Sequence, residues 1–206
     1  MRIISWNLLH RDGANLDEVE ALIRQERPDL LLMQEATRDI DPLSRRLGGH
    51  YVRSPLPERR HGLAAWSVRP FLQAPTTLVL QPGLFVRRVS LIIELHDLTV
   101  ANVHLSHGQL LNRRQLWRIF QVLPRRAAVL GDCNLVGPVS RFGFHDAGPK
   151  RPTHLAAGLV PLRLDRCFVR DLEVIDTRIL DKRTSDHRPI MVRVQPASTG
   201  HRPAGR

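Results

Sequence analysis

Cysteine is nearly absent from this 206-residue chain, and two residues, Cys133 and Cys167, exclude a disulfide-built scaffold. Lysine is almost as scarce: Lys150 and Lys182 are the only ones among 31 basic residues, so arginine carries the positive charge. No apolar run approaches the roughly 18 residues that a membrane-crossing helix needs. The opening MRIISWNLL is too short and too polar for a secretory leader. There is no HExxH, no GxxxxGKS or GxxxxGKT, no CxxC pair and no GxSxG. That removes zincins, P-loop nucleotide hydrolases, zinc ribbons and serine hydrolases. Internal repeats are lacking as well. The expectation left standing is a soluble, cytoplasmic protein.

Acidic residues are missing from two long stretches. Residues 59–93 hold five arginines and no acid, and residues 98–131 hold five more and no acid. Arginine in place of lysine follows from codon bias in a GC-rich genome, which discounts part of the net charge of +11. The acid-free distribution points further, either to a polyanionic partner or to a solvated basic face.

The rest of the composition is that of a globular chain, 42% hydrophobic and 25% charged. A chain of this length buries about 70% of its unfolded surface, enough for a core without metal or disulfide. Residues 2–6 form a β-rich run. Asn15 then reads as an N-cap with Glu18 as its capping-box partner, and Leu16, Val19, Leu22 and Ile23 follow at helical spacing until Pro28. Residues 29–35 form a buried strand, so the chain opens β–α–β with Asn7 and Glu35 at the strand ends. Strands are expected over 50–53, 62–68, 72–80, 84–95 and 98–105, with His96-Asp97 as a hairpin turn. A helix is expected over 109–122, then strands over 127–130, 164–169, 172–178 and 189–194. We read one domain over residues 1–195, followed by a disordered tail at 196–206. The order of elements predicts an α/β protein with two packed sheets and helices outside.

Polar residues collect where these strands end: Asn7, Glu35, Asn102 and His104, Asp132 and Asn134, Asp165, and Asp186-His187. Ligands of open α/β sheets bind beyond the strand C-termini, so these residues have a route to one crevice. Glu, Asp and Asn without a cysteine cluster suit Mg²⁺, Mn²⁺ or Ca²⁺ better than zinc. Taken singly the pieces are weak, since Asp132-Cys133-Asn134 reads equally as a turn. His10 and His61 could approach the site, but loop histidines are usually bland, and these two read as ordinary.

Six pieces in order carry a resemblance: SWNL (5–8), LLMQE (31–35), NVHL (102–105), GDCN (131–134), RLDR (163–166) and SDHRP (185–189). Together they resemble the endonuclease/exonuclease/phosphatase superfamily, the metal-dependent phosphodiesterases related to DNase I and exonuclease III. The resemblance implies a four-layer α/β sandwich, two packed mixed β-sheets flanked by helices. It implies Glu35 as the principal Mg²⁺ carboxylate, with Mn²⁺ as an alternative ion, Asn7 as the amide near it and Asp186 as an acidic neighbour. Asp132 and Asn134 then position the attacking water and the phosphate. His187, oriented by Asp165, contacts the scissile phosphate, and His104 supplies a second phosphate contact. Asn102, Arg113 and Arg114 are assigned to the substrate.

Two features depart from the family. Relatives carry a pattern like GNAILS in the mid-chain strand, where this chain has Gly62-Leu-Ala-Ala-Trp-Ser67. The chain is also short, so loops that grip extended DNA in larger members must be small here. The leading expectation is a nuclease acting on DNA or another polyanion. The alternative is a phosphatase or phosphodiesterase on a lipid head group or small phosphate ester. A binding module without catalysis is disfavoured, because Glu35, Asp132, Asp165 and His187 are all present.

Overall fold

The first helix forms where its caps place it. In the computed structural model, which describes residues 1–83 and 86–197, the Asn15 side chain accepts the Glu18 amide at 3.0 Å, and Glu18 reaches back to the Asn15 amide. Leu22 and Ile23 face inward from it. The elements in chain order are β1 (Arg2–Asn7), α1 (Leu16–Glu26), β2 (Leu30–Ala36), α2 (Leu43–Leu47), β3 (His50–Pro55), β4 (Gly62–Ser67), β5 (Thr76–Val79), β6 (Val89–Glu94), β7 (Thr99–His104), α3 (Gln109–Val122), β8 (Ala127–Asp132), β9 (His145–Asp146), β10 (His154–Ala156), β11 (Val160–Leu162), β12 (Asp165–Arg170), β13 (Leu172–Ile179) and β14 (Ile190–Pro196).

Two six-stranded sheets face each other, ordered β13-β14-β1-β2-β4-β3 and β5-β6-β7-β8-β12-β9. Each is mixed: β1–β2 and β7–β8 are parallel, and the other pairings are antiparallel. Strand alternation sorts the side chains into layers. Ile3, Leu30, Leu32, Val100, Ala128, Leu130 and Cys167 pack between the sheets. Ile4, Trp6, Leu31 and Met33 point the other way, against Leu22 and Ile23 of α1 and Leu43 of α2. Ala101, Val103, Val129 and Phe168 pack against Leu116, Ile119 and Phe120 of α3. The layers therefore run helix, sheet, sheet, helix, as expected.

Several boundaries differ from expectation. The strand expected over 72–80 shrinks to Thr76–Val79, because Pro75 cannot donate to a ladder. Leu84 and Phe85, where the next strand was expected to begin, lie outside the described residues, and pairing in β6 starts at Val89. β14 runs to Pro196, one residue into the expected tail, and residues 198–206 lie outside the described residues. The β10–β11 hairpin was not expected at all. Both cysteines are buried and unpaired.

The segment leading to β12 is fixed by one partly buried carboxylate. Asp146 receives Arg163 Nη1 and Nη2 at 2.6 Å each and Arg166 Nη1 at 2.8 Å. Burial raises its pKa, but the two guanidiniums outweigh that and hold it below the usual range. Asp146→Asn leaves two partly buried cations unpaired and is expected to cost about 3 kcal/mol of stability in urea denaturation at pH 7. A depressed carboxylate pKa stabilises above the unfolded value of about 3.9, and the contribution is lost as pH falls below it. The gap between wild type and Asp146→Asn is therefore expected to close in acid; a pH-independent gap would contradict the pairing.

Candidate active site

The same alternation that builds the inner core opens the cleft. On β8 and β12 the inward-facing positions are apolar up to Asp132 and Asp165 at the edge of the sandwich, while on β1 and β7 one buried polar residue, Ser5 and Asn102, precedes Asn7 and His104. His104 and Asp132 are paired neighbours on parallel strands, and Asp132 and Asp165 on antiparallel ones. The result is a cleft of about 450 Å³ lined by Asn7, Glu35, His104, Asp132, Asn134 and His187, with Asp186 and His154 at one side.

Glu35 arrives by a different device. Met33 pairs with Ala64 and Ala36 with Gly62, so two residues of β2 face one of β4, a β-bulge. Glu35 takes a left-handed backbone, φ 57°. Only a few per cent of non-glycine residues adopt such a conformation, and they gather at functional sites. The bulge leaves Gln34 between the sheets and turns Glu35 into the cleft. Asn134 is also left-handed, φ 48°, and its amide donates to the Leu105 carbonyl at 3.0 Å. Gly131 is required just before Asp132: its φ is 146°, and a Cβ there would lie 1.9 Å from the Val103 carbonyl oxygen.

Asp132 is the point of convergence. One carboxylate oxygen accepts the Asn134 backbone N–H at 3.0 Å, and the other accepts the Asn7 side-chain amide at 3.1 Å. His104 Nε2 and His187 Nε2 stand 3.4 and 3.7 Å from that second oxygen. His187 Nδ1 bonds Asp165 at 2.8 Å. Its backbone is pinned as well: Trp6 Nε1 donates to its carbonyl, and its own N–H donates to Ser185 Oγ, which in turn donates to the Asn7 carbonyl at 2.6 Å. Thr153 Oγ1 accepts the Asp165 N–H at 3.1 Å, which fixes the carboxylate behind the histidine.

The two cleft histidines carry opposite charge states. Burial disfavours the imidazolium at His104, Arg88 adds to this, and its pKa falls to about 3. Burial also opposes the charge on His187, but Asp165 and Asp132 overcome it and push its pKa up to about 10. A neutral ring therefore faces Glu35, 3.9 Å away, and a charged ring faces the floor at Asp132. Burial raises the Glu35 pKa, but hydrogen bonds from His10 outweigh it and keep the carboxylate ionised.

Three carboxylates with oxygen donors, Glu35, Asp132 and Asp186, line this one cleft, and a buried oxygen of Asp186 has no hydrogen-bond partner. That donor set fits a hard divalent cation. His154, Asp186 and His187 also place ligand atoms within 4.8 Å of one another.

The matches to known proteins agree with this geometry. The model of the endonuclease/exonuclease/phosphatase family matches residues 4–187. The chain belongs to that family. As a family member it is a phosphoric ester hydrolase of the phosphodiesterase and nuclease type. Members of the family work with a divalent metal ion. Solved structures share the fold. A humanized D. rerio TDP2 carrying 14 mutations superposes with a TM-score of 0.76 at 18% identity, covering 95% of this chain and 98% of that one. An endonuclease/exonuclease/phosphatase from Beutenbergia cavernae DSM 12333 gives 0.74 at 17%, over 96% and 72% of the two chains. D. rerio TDP2 complexed with a single-strand DNA product gives 0.74 at 16%, over 95% and 98%. No curated protein sequence matches.

Within this family member, one expected substrate residue lies elsewhere. Asn102 is fully buried between the sheets, one inward position deeper than His104. Its amide donates to the Met33 and Ala64 carbonyls at 3.0 and 2.9 Å, and its oxygen accepts from Gln34 at 2.7 Å. Asn102 is a rivet between the sheets, with no atom left for a substrate. Asn102→Ala is expected to cost about 3 kcal/mol, because buried polar groups lose their partners. Its kcat/KM per folded molecule stays within threefold of wild type, about the noise of such a comparison. A catalytic loss without destabilisation would restore the substrate role.

Arg113 is engaged by the protein itself: it donates to the Gln109 carbonyl, the Gln109 side-chain oxygen and the Val136 carbonyl at 2.7–3.0 Å. It braces two residues of the cleft rim, while Arg114 beside it on α3 is exposed. His10, read from sequence as an ordinary loop histidine, bonds Glu35 through both its backbone and its ring and stacks on His61 at 3.9 Å. His154 was missed entirely: its ring lies 4.5 Å from that of His187. Neither belongs to a motif, so spacing along the chain gave no signal for them.

No helix among the described residues is long and apolar enough to cross a membrane.

Proposed function

We propose that this chain hydrolyses phosphodiester bonds of nucleic acid with Mg²⁺ or Mn²⁺ held at Glu35 and the Asn7 amide oxygen, Asp186 lying nearby. The observation that carries the reading is the convergence on Asp132 of Asn7, His104 and the Asp165-held His187. When bound, the ion neutralises phosphate oxygens and the charge developing on the leaving oxygen. Asp132, its lone pairs set by Asn7 and the Asn134 amide, orients the attacking water and accepts its proton. His187 is already protonated, so its Nε2–H donates to a phosphate oxygen while Asp165 holds the ring. Neutral His104 gives a second contact, and Asn134 borders the phosphate.

Nucleic acid is favoured over a small ester by the charge of the chain and its distribution. The test is a panel of single-stranded DNA, duplex DNA, RNA, a phospholipid vesicle and nitrophenyl phosphates with Mg²⁺, Mn²⁺ or Ca²⁺. Turnover of nucleic acid, abolished by EDTA and restored by Mg²⁺ or Mn²⁺, is the expected result. Full activity after exhaustive chelation rejects the mechanism, and hydrolysis confined to the lipid or small ester rejects the substrate. Salt separates these as well, since polymer binding through many phosphates weakens steeply with ionic strength.

A further inference from the structure

Beside the cleft lies a larger hollow of about 1280 Å³. It runs between the β10–β11 hairpin with its approach, residues 149–158, and the loop that joins β13 to β14, residues 181–188. Six cations line it, Lys150, Arg151, Arg178, Lys182, Arg183 and Arg188, against two acids, Asp181 and Asp186. His154 and Asp186 line both the hollow and the cleft, so the two spaces meet at these side chains.

We propose that this hollow holds the phosphates of a single nucleic-acid strand as it leads away from the scissile bond. The proposal rests on the phosphodiesterase reading of the adjoining cleft. The volume exceeds the roughly 300–1,000 Å³ of an ordinary small-molecule pocket, which favours an extended ligand. The wall is built in advance of binding. Thr184 donates to Glu18 of α1 through its N–H at 3.2 Å and its hydroxyl at 2.5 Å, and Ser185 is fastened to the Asn7 carbonyl. Arg183 reaches Gln25 at 3.2 Å, and Arg178 stands 3.8 Å from Glu26. A cationic wall braced on a helix loses little freedom when an anion arrives.

Arg151 and Lys182 line the hollow as exposed cations, one from each of its two segments, with no ion pair to a described residue. The hairpin also exposes Leu155, Leu159 and Val160, of which Leu155 lines the hollow. Apolar contacts beside a row of cations match unpaired bases on a phosphate backbone. A duplex hides its base faces, and a membrane surface is flat and does not enter a concave space.

The test is fluorescence anisotropy of a labelled single-stranded 12-mer in EDTA, with wild type, Arg151→Glu/Lys182→Glu and a charge-matched control, Arg45→Glu/Arg193→Glu. All four positions are exposed, and circular dichroism confirms folding. The hollow variant is expected to bind at least tenfold more weakly, with the log–log salt slope reduced by about 1.4, two phosphate contacts at about 0.7 each. In turnover its KM for the 12-mer rises by a similar factor, while kcat/KM for a dinucleotide is unchanged. An unchanged affinity and slope, an equal loss in the control, or tighter binding to an anionic vesicle or a duplex than to the strand overturns the proposal. Binding in EDTA needs no turnover, so the two readings fail separately. A wild type that binds the strand and hydrolyses nothing defeats the phosphodiesterase reading. A hollow variant that matches wild type on both substrates defeats only the hollow.

Discussion

Glu35→Gln is expected to lower metal-dependent kcat/KM by about 10²–10³-fold, the scale on which a single preorganised electrostatic group acts. The substitution keeps shape and volume and removes only the charge. Glu35 owes its position to backbone, the bulge between Met33 and Ala36 and its own left-handed φ of 57°, so the amide is delivered to the same place. His104, neutral through burial, stands 3.9 Å away and supplies no compensating charge. The loss is therefore one of cation affinity rather than of fold. Titration of Mn²⁺ followed by calorimetry is expected to show affinity at least 100-fold weaker than wild type, beyond the 10–100-fold typical of groups that only support a ligand. Turnover within tenfold of wild type at the same metal concentration would remove Glu35 from the metal site.

How far the sequence reaches is visible in the same residue. The apolar run Leu30–Met33 marks a buried strand, and a carboxylate at its end is conspicuous, so Glu35 was legible. The bulge that aims it was not, because nothing local distinguishes two residues opposite one from a regular ladder. Local signals were sufficient for α1, where Asn15 and Glu18 form the cap that their spacing prescribes, and for α3, whose expected and observed limits coincide. They were misleading at Asn102. Period two puts Asn102 and His104 on the same inward face, and only the depth of the opposite sheet decides which reaches the cleft and which bonds Met33 and Ala64. The β10–β11 hairpin was illegible for a simpler reason: its three-residue strands, His154–Ala156 and Val160–Leu162, are too short to show a period. The basic hollow escaped for a related one. Its cations come from two segments separated by β11, β12 and part of β13: residues 147–164 are acid-free but hold only three basic residues, and the second segment alternates with Asp181 and Asp186, so neither stands out as a basic run. That search found the arginines of residues 98–131, of which Arg113 turns out to brace the cleft rim.

The second large effect belongs to Asp165 and His187, which are expected to act as one unit. Asp165 is fully buried, and His187 Nδ1 at 2.8 Å is its side-chain partner, the other carboxylate oxygen having none. A buried carboxylate in this position is stabilised by the imidazolium it holds, and the imidazolium is stabilised by it in return. Asp165→Asn keeps the volume and the Thr153 bond to its own N–H but withdraws the charge, so the ring loses its orientation and its proton. His187→Ala removes the phosphate contact outright. Each is expected to lower kcat/KM by about 10²–10⁴-fold, the usual worth of a positioned acid–base group. The double variant should lose little more than the worse single, because a carboxylate that works through a histidine has no role once the histidine is gone. The measurement is a double-mutant cycle in kcat/KM on one oligonucleotide, with folding confirmed by circular dichroism. Losses that multiply would show two independent roles and defeat the paired reading. Mn²⁺ affinity gives the second readout: it is expected to stay within about tenfold of wild type in all three variants, below the 10–100-fold of a ligand-supporting group. A larger drop would place the pair in the metal site beside Glu35 instead of at the phosphate.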